Sequence, residues 1–228
     1  MTYPELGRRL LAVRERIARA RDRAGLSHEV RIVAVTKGHG PEAVAAAVRE
    51  GLTTVGENRV QEALAKQEAL GGLEVEWHLI GSLQRNKARQ AVGRFALIHS
   101  VDRLELAEEL ARRVSPGTRQ RVLVEVNCGD EPQKGGVVPE AADDLVAQVR
   151  SQPGLAFEGL MTMAPFTEDV AIQRAAFGRL RRLKERLEGQ GVPVAQLSMG
   201  MSGDFEAAVE EGATMVRLGT ILFGERER

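Results

Sequence analysis

Apolar residues along this chain switch between two spacings. From Pro4 to Ala24 they recur in steps of three and four (Leu6, Leu10, Val13, Ile17, Ala20) with arginines between them. That is the pattern of a helix with one buried stripe, and Gly25 is a fitting stop. RIVAVT (31–36) is a short β-branched run, as expected of a strand buried on both faces. Pro41 opens a helix, PEAVAAAVREG, which Gly51 ends. The alternation then continues. Strands are predicted at LTTVGE (52–57), WHLIG (77–81), FALIHS (95–100), RVLVEVN (121–127), LAFEGLMTM (155–163), PVAQLSM (193–199) and TMVRLG (214–219). Helical segments fall between them, with Asp102 and Asp204 placed to cap two of them and a short piece, TILFGERER, at the end.

Eight strands separated by helices long enough for crossovers predict an α/β fold, a closed parallel (β/α)8 TIM barrel with an extra N-terminal helix. An open doubly wound sheet is the alternative. With 228 residues and no linker or low-complexity tract, one domain over 1–228 is expected. Aromatic residues are only 4% of the chain, so the core should be Val, Ile, Leu and Ala.

Charge and cysteine narrow the possible roles. Lys+Arg and Asp+Glu are both 32, which gives no reason to expect nucleic acid or an anionic membrane as partner. The one cysteine, Cys128, excludes an internal disulfide and fits a reducing compartment. No apolar run approaches the roughly 18 residues of a membrane span, and the charged N-terminal segment lacks a signal core. A cytoplasmic protein is expected, and a monomer, since no exposed apolar stripe stands out.

In such barrels the reactive groups gather at the C-terminal ends of the strands. Only five of the 32 basic residues are lysines. Lys66, Lys87 and Lys184 fall on helices and Lys134 in a loop, where solvated charges are expected. Lys37 ends the first strand, and alternation puts it on the face of Val33 and Val35. If those fill the barrel, Lys37 points into its mouth, where partial desolvation favours the neutral, nucleophilic amine and Schiff-base chemistry. The plain alternative is a snorkelling lysine or an ion pair with Glu57.

The loops after the last two strands suggest an anion cradle. Ser202 and Gly203 precede the helix beginning near Asp204, and Gly219 and Thr220 follow the eighth strand. Loops after strands seven and eight often bind phosphate in barrels, though turn and capping chemistry alone would also explain these residues. Barrel closure would make Lys37 their neighbour. An amine beside a phosphate cradle suits a ligand with a carbonyl at one end and a phosphate at the other: pyridoxal 5′-phosphate, or a phosphosugar in a Schiff-base aldolase. Arg217 would face a pyridine nitrogen as a permanent donor, making the ring a poor electron sink. Alternatively, it pairs with Glu57 or Glu125.

At these residues the chain resembles the pyridoxal phosphate homeostasis protein family, itself similar in fold to the N-terminal barrel of alanine racemase. The resemblance is carried by VAVTK (33–37), VGENRVQE (55–62), WHLIGSLQRNK (77–87), HSVD (99–102), VN with QKGG (126–127, 133–136), GLMTMAP (159–165) and LSMGMSGDFEAAVEEGATMVRLGTILFGER (197–226). It implies that Lys37 carries pyridoxal phosphate as a Schiff base. It also implies that Ser202, Gly203, Gly219 and Thr220 hold the phosphate, that Arg217 faces the ring nitrogen, and that Asn58 and Met161 line the cofactor, with His78 nearby. The chain departs from the family at Gly38-His39-Gly40, expected to be a mobile loop, and at Arg59, a position often aromatic.

The expected role is a carrier and buffer of the cofactor in vitamin B6 homeostasis, with indirect effects on amino-acid and keto-acid balance and transient contact with pyridoxal phosphate-dependent apo-enzymes. A racemase of restricted scope is the enzymatic alternative, but no second acid/base beyond Lys37 is evident. Cys128 is expected to be a buried filler, and no cluster has metal-ligand spacing.

Overall fold

The computed structural model of the protein describes residues 3–131 and 133–225. Eight strands close into an all-parallel barrel in sequence order: β1 (Arg31–Val35), β2 (Thr54–Glu57), β3 (Glu76–Leu79), β4 (Leu97–Val101), β5 (Gln120–Glu125), β6 (Leu155–Met161), β7 (Gln196–Ser198) and β8 (Met215–Leu218). The ring is closed by β1 against β8, with Val33 opposite Arg217 and Ala34 opposite Leu218. Each strand coincides with a segment predicted from apolar runs, trimmed at its ends by one to three residues in most cases.

Helices cover the outside: α1 (Leu6–Ala24), α2 (Pro41–Arg49), α3 (Val60–Ala69), α4 (Ala88–Ala91), α5 (Leu104–Arg113), α6 (Ala142–Ser151), α7 (Val170–Gly189), α8 (Phe205–Glu210) and α9 (Thr220–Phe223). The helix expected over 83–93 is reduced to a 3-10 turn and the four residues of α4. The helix expected from residue 101 starts at Leu104. Arg103 is its N-cap, and Asp102 pairs with that arginine instead of capping. Asp169 does cap α7, accepting the N–H groups of Ala171 and Ile172.

The core has two compartments, as period-2 strands require. Ile32, Ala34, Val55, Ile98, Val122 and Val124 face the helices. Val33, Leu97, Leu123, Met161 and Met215 form a separate cluster inside the barrel. The predicted parity of β1 is therefore observed. The extra helix α1 buries Leu6, Leu10, Val13, Ile17 and Ala20, each large one contributing roughly 1.5–3 kcal/mol. Its polar side is tied to α8 by Arg16–Glu206 and Arg23–Glu210, both 2.6 Å, and the Arg16 guanidinium lies 4.5 Å from the Phe205 ring centroid. Among the described residues no helix is long and apolar enough to cross a membrane.

Candidate functional site

Arg217 stands at the base of the site. It points inward from β8 and is buried. One terminal nitrogen donates to Ser198 O and Ser198 Oγ, both 2.8 Å, and the other to Thr162 O at 2.9 Å. A guanidinium has five N–H donors. Three are held by these acceptors, which leaves two for a ligand. Burial lowers its pKa to about 10, partly offset by Asp204 and Glu125, so it stays charged at neutral pH. Neither carboxylate considered as its ion-pair partner takes that role. Glu57 lies under α3, where Oε1 accepts from Lys66 Nζ at 2.6 Å and Thr36 Oγ1 at 2.5 Å. Glu125 has no side-chain hydrogen bond among the described residues. Burial pushes its carboxyl up to about 7, with Asp102 adding and Arg217 subtracting.

The loop between β7 and α8 is built around Gly200. Its φ of +94° suits glycine, and a Cβ there would stand 2.6 Å from that of Ala208. Asp204 precedes α8, but its Oδ1 accepts from Met201 N at 2.5 Å, folding the loop back instead of capping forward. This turn presents Ser202 to the loop after β8. The N–H groups of Gly219 and Ile221 both reach Ser202 Oγ at 3.3 Å. Two backbone donors thus converge on one oxygen. Gly203 borders open space and Thr220 is exposed.

Lys37 lies half-buried in the turn just after β1. The bare Cα of Gly219 admits β1 closely: a Cβ there would be 3.4 Å from Val35 O and 3.5 Å from Val35 Cβ. The fold therefore brings the chain at Lys37, the Ser202 turn, Gly219 and Arg217 to one end of three adjacent strands, β7, β8 and β1. Asn58, half-buried, follows β2 at that same end and is pressed against Gly81, where a Cβ would be 2.4 Å from Asn58 O. Met161 and His78 lie deeper. Met161 is part of the inner apolar cluster, and His78 is fully buried within β3. The loop at Gly38-His39-Gly40, expected to be mobile, is anchored: His39 Nδ1 lies 3.0 Å from Tyr3 Oη, and its ring is 5.5 Å from that of Phe223.

Three residues were not singled out by sequence reasoning for the parts they take. Lys66, expected in solvent, is buried between Glu57 and Thr36 O, to which it donates at 2.8 Å. Helix periodicity places it on α3 but cannot see the acidic strand end beneath. His99 is fully buried and links Ser198 Oγ (2.9 Å) to His78 Nδ1 (3.0 Å). Its inward parity with Leu97 was a readable signal. Glu125 shares its parity with Leu123 in the same way. Cys128 is buried, and burial raises its thiol pKa to about 11, as expected of a filler.

A family model described as the alanine racemase N-terminal domain matches residues 9–227. The pyridoxal phosphate homeostasis protein of Aquifex aeolicus is 46% identical over 222 residues, 96% of this chain and 97% of that one. The chain belongs to the pyridoxal phosphate homeostasis protein family. The Escherichia coli family member is 37% identical over 98% of this chain and 97% of its own. A solved family member, PipY of Synechococcus elongatus with pyridoxal phosphate bound, superposes with a TM-score of 0.80 at 39% identity, covering 92% of this chain and 99% of that one. An alanine racemase of Clostridium difficile, at 19% identity and TM-score 0.78, shares the barrel fold.

Proposed function

We propose that this protein binds pyridoxal 5′-phosphate at the mouth of its barrel and acts as an intracellular carrier and buffer of that cofactor. The observation that carries the reading is the convergence of the Gly219 and Ile221 N–H groups on a single oxygen, beside an arginine with two donors still available. An anionic phosphate oxygen replacing Ser202 Oγ would receive the same two donors, with the Ser202 hydroxyl free to add a third. Gly203 and Thr220 complete the cradle, and Arg217 donates to the ring nitrogen.

The cofactor supplies an aldehyde; the chain supplies the Lys37 amine, which holds it as a Schiff base. Asn58 borders the ring at the end of β2. Met161 supports the floor, and His78 acts from below through His99. An arginine that only donates keeps the ring nitrogen unprotonated, which disfavours carbanion chemistry and suits storage over turnover. Release to pyridoxal phosphate-dependent apo-enzymes, with effects on amino-acid and keto-acid balance, is the role in the cell, and the protein works there as a monomer. The relatives named for pyridoxal phosphate homeostasis support this reading over a racemase.

The test is a titration of the purified protein with pyridoxal phosphate, followed by absorbance and by a chiral assay over the amino acids. A saturable new absorption band without racemisation is expected. An unchanged spectrum overturns the cofactor, and rapid racemisation overturns the carrier role.

A further inference from the structure

The inside of a parallel barrel fills by default with branched apolar side chains. Here a line of polar groups runs through it beside the apolar cluster. Arg217 meets Ser198 Oγ at 2.8 Å, Ser198 Oγ meets His99 Nδ1 at 2.9 Å, and His99 Nε2 meets His78 Nδ1 at 3.0 Å. His78 Nε2 makes no hydrogen bond among the described residues and lies 3.4 Å from Glu76 Oε1. Glu76 in turn pairs with Arg121 (2.9 Å) and Arg31 (3.0 Å) at the opposite end of the barrel. The line thus spans the barrel from the candidate site to its far face.

Donor chemistry, read from both ends, gives each link a direction. A guanidinium has no lone pair to offer, so Ser198 Oγ must accept from Arg217, but a hydroxyl oxygen has a second lone pair and that end alone leaves the Ser198–His99 link open. At the other end a carboxylate only accepts, so the His78 proton belongs on Nε2, beside Glu76, and a neutral His78 has a bare Nδ1. His99 therefore carries its proton on Nε2 and donates to His78 Nδ1. That leaves His99 Nδ1 bare, to accept the Ser198 proton. Both histidines are neutral in this arrangement, and both are Nε2–H tautomers. The surroundings agree. Burial holds His99 well below the ordinary histidine range, with His78, Arg217 and Arg121 adding to the shift. His78 is lowered by burial and by Arg121 and Arg31, against the pull of Glu76.

We propose that His99 and His78 are positioning residues for Arg217. By fixing the Ser198 hydroxyl as an acceptor, they hold the guanidinium in the one orientation that leaves two donors for a ligand. A proton added to His99 would reverse its link to Ser198. The serine proton would then have to leave that link, and Arg217 would share Ser198 Oγ with a second donor, which weakens one of its three anchors. The ligand side of this inference rests on the proposed cofactor site; the tautomers and the anchoring of Arg217 do not.

The test uses the full-length protein in two forms. In the ligand-free protein, imidazole nitrogen NMR reads the tautomers. Both histidines are expected as neutral Nε2–H at neutral pH, with less imidazolium near pH 6.5 than a free histidine shows. A proton on His99 Nδ1, or a charged His78 at neutral pH, overturns the proposal. The second readout compares His99→Asn, whose amide oxygen can replace Nδ1 as acceptor, with His99→Leu, which cannot accept. Arg217 guanidinium protons should exchange with solvent about tenfold faster in the Leu variant, and pyridoxal phosphate should bind it about tenfold more weakly. The Asn variant should stay within about twofold of the parent in both. Equal behaviour of the two variants overturns the proposal, and if His99→Leu does not fold, the nitrogen signals alone decide. Failure of the parent to bind pyridoxal phosphate refutes the cofactor reading, and the tautomers and proton exchange then still judge the chain.

Discussion

The titratable residues inside the barrel do not share one pH response. Glu125 is buried with no side-chain hydrogen bond among the described residues, and burial pushes its carboxyl up to about 7, whereas an unfolded glutamate titrates near 4.5. Its folded pKa is raised, so the fold loses stability as pH climbs through that interval. His78 and His99 are lowered below 6.5, so the unfolded chain takes up protons first and stability falls as pH drops below 6.5. The two effects oppose each other between about pH 5 and 7. Glu125→Gln separates them. It should match the parent near pH 4 and exceed it at pH 8 by up to about 3 kcal/mol, measured by urea unfolding. With the glutamate gone, the acid-side decline due to the histidines should stand alone. Equal stability of parent and variant at pH 8 would show that Glu125 reaches water or a partner.

At the scale of elements, the strand end that carries Lys37 is held from outside the barrel. Lys66 on α3 reaches Glu57 on β2 and the carbonyl of Thr36, the residue before Lys37. One glutamate oxygen, Oε2, is buried with no partner among the described residues, so the group depends on Lys66 for compensation. Lys66→Met should cost about 3–5 kcal/mol in chemical denaturation, because it strands a buried charge, and adding Glu57→Gln should recover more than half of the loss. No recovery in the double variant would mean that the loss came from packing. The loop after β7 makes a parallel case. Gly200→Ala places a Cβ against Ala208 in a left-handed conformation, and should cost at least about 1 kcal/mol and move Ser202 away from Gly219. Pyridoxal phosphate affinity should fall more in this variant than in Gly203→Ala, where the space is open. A larger loss at Gly203 would contradict the cradle as described.

The whole molecule shows which features a sequence carries openly. Parity along β1, the loops after β7 and β8, and the eightfold alternation are local patterns, and the barrel followed from them. Features set by packing between distant segments were not legible. Lys66 reads as a surface lysine until α3 is laid over β2. Asp102 reads as a cap until the chain before α5 takes the conformation that gives Arg103 that place. The Tyr3–His39–Phe223 contact joins three parts of the chain that no spacing relates. The line from Arg217 to Glu76 is intermediate. Each inward parity could be read, but the order of contacts exists only once the ring closes.

On the reading proposed above, Lys37 and the cradle of β7 and β8 hold one ligand. Borohydride reduction of the protein loaded with pyridoxal phosphate, followed by peptide mass measurement, is the decisive experiment. One reduced pyridoxyl group is expected, on Lys37 and absent from Lys37→Ala. A label on Lys66, Lys87, Lys134 or Lys184 in place of Lys37, or no label at all, would contradict it.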